Sequence, residues 1–279
     1  TQFGLARALV ATGRDKRRAI DLARAARDQF ARAGEHKRDE LGLDPQDARQ
    51  LFLVHRGYVR AGAALTGAQA DRMKEIKERL AVLGTQFTQN LLKDESDWSM
   101  DLAEADLEGL PEFLVDAARA AGEEKEKDGP VVTLSRSLIV PFLQFSPRRE
   151  LREKAWKAWV SRGAFGGETD NRAIAAEILA LREERAKLLG YENFARYKLD
   201  TEMAGEPAAV RALLMDVWEP AKRQALADQE VLSAMAAEDG VNGAIEGWDW
   251  RYYAEKRRKA EHDLDEAALK PYFQLDKMI

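Results

Sequence analysis

The chain has 279 residues, 45% of them hydrophobic and 33% charged, enough for a globular protein with a sizeable core. Its net charge of −5 comes from Lys and Arg interspersed with Asp and Glu, which excludes the clustered basic footprint of a nucleic-acid-binding surface. The absence of cysteine excludes disulfides and thiolate metal sites and fits a reducing compartment, and no apolar run is long enough to span a bilayer as a helix.

In chain order the pattern is helix after helix. Residues 15–33 place Ile20, Leu22, Ala23, Ala26 and Phe30 among Arg and Asp, as a short amphipathic helix does. Asp44-Pro45 supplies a cap followed by proline in the first turn, predicting a helix to about Gly62. Thr66 to Gln69 has capping-box spacing. After it Met73, Ile76, Leu80, Leu83 and Phe87 recur by threes and fours, predicting a long helix to about Leu92 with that stripe buried. The same spacing permits a coiled coil, over fewer than three clean heptads.

Glu112 to Ala121 reads as a helix and Gly122 to Pro130 as a charged turn. Val131 to Leu134 and Leu138 to Phe145 are β-branched and aromatic, predicting a small hairpin or sheet with Pro141 at an edge or bulge. Ser146-Pro147 opens a helix with Leu151, Ala155, Trp156 and Trp159 on one side, and Gly163 to Gly167 is a flexible connector. Thr169 or Asp170 caps a helix bearing Ile174, Ile178, Leu181 and Leu188, ended by Gly190. A helix from Pro207 carries Val210, Leu213, Leu214, Val217 and Trp218, bends at Pro220 and closes at Gly240; another runs from Trp248 to His262. The fold class is therefore mainly α with a minor β element.

Three histidines offer little metal chemistry. A catalytic zinc site needs about three protein donors and an open position for water. His36 and Glu40 share a helical spacing but sit beside Lys37 and Arg38, as a surface ion pair does. His55 lies among Leu51, Phe52, Leu53, Val54 and Tyr58, the setting of a half-buried structural histidine. His262 neighbours Glu261, Asp263, Asp265 and Glu266, half of a metal site at most, and reads as packing or a helix-end contact. The carboxylate pairs Glu123-Glu124, Glu183-Glu184 and Asp265-Glu266 sit in solvated runs, without the split environments that acid–base work requires. No nucleophile elbow or phosphate-binding glycine loop occurs. Trp248, Trp250, Tyr252 and Tyr253 could line a peptide groove, but they wrap around the helix, so some must face the core, and core packing is the favoured reading for any one of them.

The run Trp248-Asp249-Trp250-Arg251-Tyr252-Tyr253-Ala254-Glu255-Lys256, followed by Leu269-Lys270-Pro271-Tyr272-Phe273-Gln274-Leu275, resembles the thimet-oligopeptidase-like zinc metallopeptidases, in the peptidyl-dipeptidase (dipeptidyl carboxypeptidase) branch. Phe145-Ser146-Pro147-Arg148-Arg149-Glu150-Leu151, then Glu168-Thr169-Asp170-Asn171, Leu188-Leu189-Gly190-Tyr191-Glu192-Asn193 and, upstream, Leu80, Leu83, Phe87, Asn90 and Leu91 continue the likeness. It covers about residues 29–279; residues 1–28 match nothing in the family.

The resemblance implies a multi-helical lobe of an oligopeptidase with a small β element around residues 131–145. It also implies a cytoplasmic bacterial protein that removes dipeptides from the C-terminus of short peptides, with no nucleic-acid or membrane partner. In the family one zinc ion is held by His-Glu-x-x-His and a downstream glutamate. That motif follows the matched segment in the family and has no counterpart here. The expectation is a partial oligopeptidase helical domain over 29–279, lacking the zinc-binding catalytic part, inactive alone and binding no zinc itself. No catalytic, substrate-binding or metal residue is assigned. The alternative is a non-catalytic helical binding or scaffold protein derived from the peptidase fold. The apolar residues Leu269, Tyr272, Phe273, Leu275 and Ile279 are expected to lie uncovered, in a patch shared with Trp250 and Tyr253.

Overall fold

A computed structural model of the chain describes residues 44–262, 272–274 and 276. The helix expected over 15–33, the segment 1–28, His36, Leu269, Leu275 and Ile279 lie outside the described residues. The chain divides into two compact units, residues 1–75 with 188–190 and residues 76–187 with 191–279.

The first unit holds helix α1, Pro45–Arg60. The Asp44 side chain accepts hydrogen bonds from the backbone N–H of Gln46 at 2.8 Å and Asp47 at 2.9 Å, satisfying donors that the first turn leaves orphaned. Proline at the first helical position costs no hydrogen bond, so the start falls where the dipeptide predicts. Gly62 follows with φ 95°, and a Cβ there would meet the Met73 Cγ at 2.9 Å, so this turn requires glycine on two counts.

Helix α2, Gly67–Asp97, begins in the first unit and runs into the second. At 31 residues it is about 46 Å long at ~1.5 Å per residue. It extends past the expected end near Leu92, and Lys93 pairs with Asp97 across its last turn at 2.5 Å. Of the expected stripe, Met73, Ile76 and Leu83 are fully buried, while Leu80 and Phe87 are half-buried.

The rest of the second unit is built around one short antiparallel ladder. Strand β1, Ser99–Asp101, pairs with β2, Val131–Thr133, with Met100 opposite Val132. Between them lie a 3₁₀ turn, Glu104–Leu107, and helix α3, Glu112–Glu124, which packs on β2. The β element is therefore closed by residues 99–101. The second expected strand, Leu138 to Phe145, is instead helix α4, Arg136–Phe145, with Pro141 inside it. Leu138, Ile139, Phe142 and Leu143 are its buried residues, at offsets 0, 1, 4 and 5 that mark one face of a helix. A short apolar run has the composition of either element, and only the packing on α3 and β2 selects between them.

Helix α5, Arg149–Val160, packs on α4 and completes the main core of Met100, Leu102, Leu114, Val132, Leu134, Ile139, Phe142 and Ala155. The Gly163–Gly167 connector is pinned at its start. Gly163 N–H donates to the buried Asp94 Oδ2 at 2.7 Å, and the Asn171 N–H to the Gly163 carbonyl at 2.7 Å. Asn171 also accepts from Asn90 at 2.9 Å and donates to the Phe87 carbonyl at 3.0 Å, tying the connector to α2.

Helix α6, Arg172–Leu188, follows; Asp170 accepts from the Arg172 N–H at 2.9 Å just before it. Helix α7, Phe194–Leu199, is capped by Asn193. Helix α8, Pro207–Glu238, is continuous through Pro220 and turns at Gly240, φ 83°. Helix α9, Gly247–His262, then packs against α4, α5 and α8.

Candidate functional site

Helix α9 is the centre of the arrangement because each of its faces meets a different helix. Toward α5 it presents Trp248, Asp249 and Tyr252. Asp249 is fully buried and takes both oxygens into hydrogen bonds: from Arg149 Nη2 at 2.8 Å and Nε at 3.0 Å, from Arg152 Nη2 at 3.0 Å, and from the Glu246 N–H at 3.1 Å. Burial works to raise the pKa of this carboxyl. The bonds from Arg149, the Glu246 N–H and Arg152 together outweigh it and hold the group below the ordinary carboxylate range. Arg152 is itself 1% exposed, and its remaining donors reach the Ser146 carbonyl at 2.8 Å and the Trp248 carbonyl at 3.1 Å. Each nitrogen of the Arg152 guanidinium and both oxygens of Asp249 thus take part in a hydrogen bond, as buried charges require.

Aromatic rings enclose this centre. The Arg152 guanidinium lies 4.1 Å from the centroid of Tyr252, and Trp248 meets Trp156 edge-on at 5.6 Å. Arg149 and Lys157 sit 5.7 and 5.4 Å from the Trp248 ring, while the buried Trp248 Nε1 has no hydrogen-bond partner among the described residues. Gly247 lets the Trp156 ring lie against the start of α9, where a Cβ would overlap it.

Toward α8 the helix presents Trp250, Tyr253, Ala254 and Arg257. Tyr253 is core, packed with Leu232, Ala236 and Ile245, and burial together with the neighbouring Asp239 carboxylate pushes its hydroxyl up to about 12. Beyond it a shallow depression of about 210 Å³ is lined by Asp228, Trp250, Arg257, Arg258, Glu261 and His262. Arg257 bridges its two walls, 3.0 Å from Asp228 and 2.7 Å from Glu261. Of the four expected aromatics, Tyr253 is thus core; Trp248 and Tyr252 hold the ionic centre; and half-buried Trp250 alone lines an opening. Tyr272 and Phe273 are exposed, as the apolar C-terminal run led one to expect, but Tyr253 does not share a patch with them.

The remaining candidates do not assemble into a site. His55 is half-buried on α1, and His262 is exposed at the end of α9, 4.0 Å from Glu261. Glu123 and Glu124 are exposed; Glu183 is held by Lys187 and the Phe194 N–H, which lower its pKa. His36 with Glu40, and Asp265 with Glu266, lie outside the described residues. Among the described residues no group of three or more His, Cys, Asp or Glu side chains is arranged to hold a metal ion, and no helix is long and apolar enough to cross a membrane.

The residues that sequence reasoning passed over are Arg149, Arg152 and Asp249. Arg149 and Arg152 are three apart on one face of α5, beside Ala155, Trp156 and Trp159, and that is the available signal: two cations on a stripe otherwise turned inward. Asp249 between two tryptophans is the matching anion.

A family model described as peptidase family M3 matches residues 142–279, from the last turn of α4 through α9 and beyond. Oligopeptidase A of Salmonella typhimurium is 35% identical over 230 residues, covering 80% of this chain and 34% of that protein. Dipeptidyl carboxypeptidase of Escherichia coli is 33% identical over 247 residues, covering 87% of this chain and 36% of that protein. Saccharolysin of Saccharomyces cerevisiae is 25% identical over 260 residues, covering 90% of this chain and 36% of that protein. The chain thus spans about a third of the length of the curated relatives it matches.

Proposed function

From the match of residues 142–279 to peptidase family M3 and the likeness to two bacterial peptidases, we propose that the chain forms the helical framework of an oligopeptidase acting on short peptides. The observation that carries this reading is the likeness, at 33–35% identity, to two bacterial peptidases over at least 80% of the chain. The finer reading is release of dipeptides from a free C-terminus. It rests on the dipeptidyl carboxypeptidase relative and on the run from Trp248 to Lys256. A cytoplasmic location fits the cysteine-free composition.

The family implies a zinc ion, which would supply an activated water. The described residues offer no donor set that fits it. What its own residues do is position. The Arg149–Asp249–Arg152 centre fixes the rotation of α9 against α5, and with it the Trp250 and Arg257 face toward α8. Such locking matters because a peptide site tolerates little displacement of its supporting shell.

The test is replacement. This chain is put in place of the aligned third of Escherichia coli dipeptidyl carboxypeptidase, and the zinc-loaded product is given a short peptide with a free carboxyl terminus. Mass spectrometry should show successive loss of C-terminal dipeptides at a rate within about tenfold of the parent. A folded, zinc-loaded replacement that leaves the peptide intact contradicts the reading.

A further inference from the structure

Helix α8 carries one apolar face with two fates. Eighteen residues make five full turns at 3.6 residues per turn, so Leu214, Val217 and Trp218 lie directly in line with Leu232, Met235 and Ala236. The downstream trio is covered by α9: Leu232 and Ala236 are buried and Met235 packs on the same cluster. The upstream trio is bare, with Leu214, Val217 and Trp218 exposed by 61, 58 and 56%, and Leu213 beside them by 66%. Every residue from 211 to 227 is exposed, on all sides of the helix. Cover begins level with Asp228, where Arg257 meets it at 3.0 Å and His262, the last residue of α9, lines the same depression.

Several large apolar side chains on two turns of bare helix form a surface that folded proteins rarely leave to water. The charges around it are of both signs: Arg211, Lys222 and Arg223 with Asp216 and Glu219. Mixed flanks suit another polypeptide helix and not an anionic membrane, which selects a basic face. We infer that the upstream face of α8 seats an apolar-striped helix from the two thirds of an oligopeptidase that this chain does not match, extending the role α9 plays downstream. The length of the relatives supplies the occupant: they are about three times as long as the matched region, and the family match includes all of α8. The inference rests on the oligopeptidase reading and adds to it the surface through which this framework joins the remainder.

The chain has no cysteine, so a single introduced thiol reports one position. Leu214→Cys is compared with Glu123→Cys, an exposed position on α3, by the rate of maleimide labelling in two settings: the chain alone and the replaced dipeptidyl carboxypeptidase. In the chain alone the two thiols should label at similar rates. In the replaced enzyme labelling at 214 should slow at least tenfold while 123 is unchanged. Equal labelling in the replaced enzyme overturns the inference. So does protection of position 214 in the chain alone: if it rises with concentration alongside a dimer on sizing, a second copy is the occupant, and if it does not, the chain covers itself. If the replacement does not fold, the same labelling at the aligned position of the unaltered dipeptidyl carboxypeptidase decides the question. Peptide cleavage is read separately, so protection without cleavage faults the activity, and cleavage without protection faults the docking face.

Discussion

Arg152 and Asp249 are 97 residues apart in the chain and meet at 3.0 Å, with 1% and 0% of their side chains exposed. Removing two such charges from water is costly, and the arrangement persists because every nitrogen of the guanidinium and both carboxylate oxygens also find hydrogen-bond partners. Arg149 contributes a second guanidinium from the more exposed side, which leaves Asp249 the shared anion of two cations.

Deleting that anion is therefore worse than deleting either cation. Asp249→Ala leaves Arg152 buried without a counter-charge and should cost about 3–5 kcal/mol in urea unfolding, against a smaller loss for Arg149→Ala. The effect also has a pH signature. The folded pKa of Asp249 lies below its unfolded value of about 4, so the added stability is present above that pH and is lost as pH falls through the folded value. Asp249→Asn should flatten the acid limb of stability against pH, leaving the neutral region parallel to the parent. An unchanged acid limb would show that the carboxylate is not held as the hydrogen bonds require.

Tyr253 sets the alkaline limb. Its folded pKa is raised to about 12 against an unfolded value near 10. Stability from the buried neutral phenol is complete below about pH 10 and declines as pH rises toward 12, because only the unfolded chain ionises in that window. Tyr253→Phe should remove most of that decline, measured by denaturant midpoints at pH 9, 10 and 11. A variant that tracks the parent across those points would contradict the burial.

Three glycines separate propensity from packing. Gly84, mid-helix in α2, has nothing within 4 Å of an added Cβ, so Gly84→Ala should stabilise by about 0.5–1 kcal/mol. Gly122, in α3, lies against the Gly129 carbonyl, and Gly247 against the Trp156 ring, both far inside van der Waals contact for a Cβ. There overpacking outweighs any gain in helix propensity, and each change to Ala should cost about 1–3 kcal/mol. Thermal or urea unfolding of the three variants should give opposite signs for Gly84 and the other two.

The stripe of α2 is graded. Leu83 is 1% exposed and Leu80 only half-buried, so Leu83→Ala should cost about 2–5 kcal/mol and Leu80→Ala distinctly less. Equal losses would mean that Leu80 is covered as fully as Leu83.

Asp44 and Pro45 show what neighbours in sequence determine. A side-chain oxygen and a fixed φ act within one turn, so the start of α1 is written in two residues. The stripe from Met73 to Phe87 likewise identifies α2, because the period of a helix is a local property. The run of 248–256 was informative in another way, as a likeness carried by residue identity alone. Leu138 to Phe145 marks where local information ends: a run that is apolar but for Gln144 suits a strand or a helix, and the neighbours α3 and β2 decide. The same holds for the two faces of α8. Leu214 and Leu232 look alike in the sequence, and only the path of α9 buries one and leaves the other bare. Asp249 has no acid–base or pairing signal of its own in the sequence, and its role is set when α5 brings Arg149 and Arg152 across it. Capping and periodicity are fixed by atoms a few bonds apart. Burial of a charge depends on which distant segment arrives beside it, which tertiary packing settles.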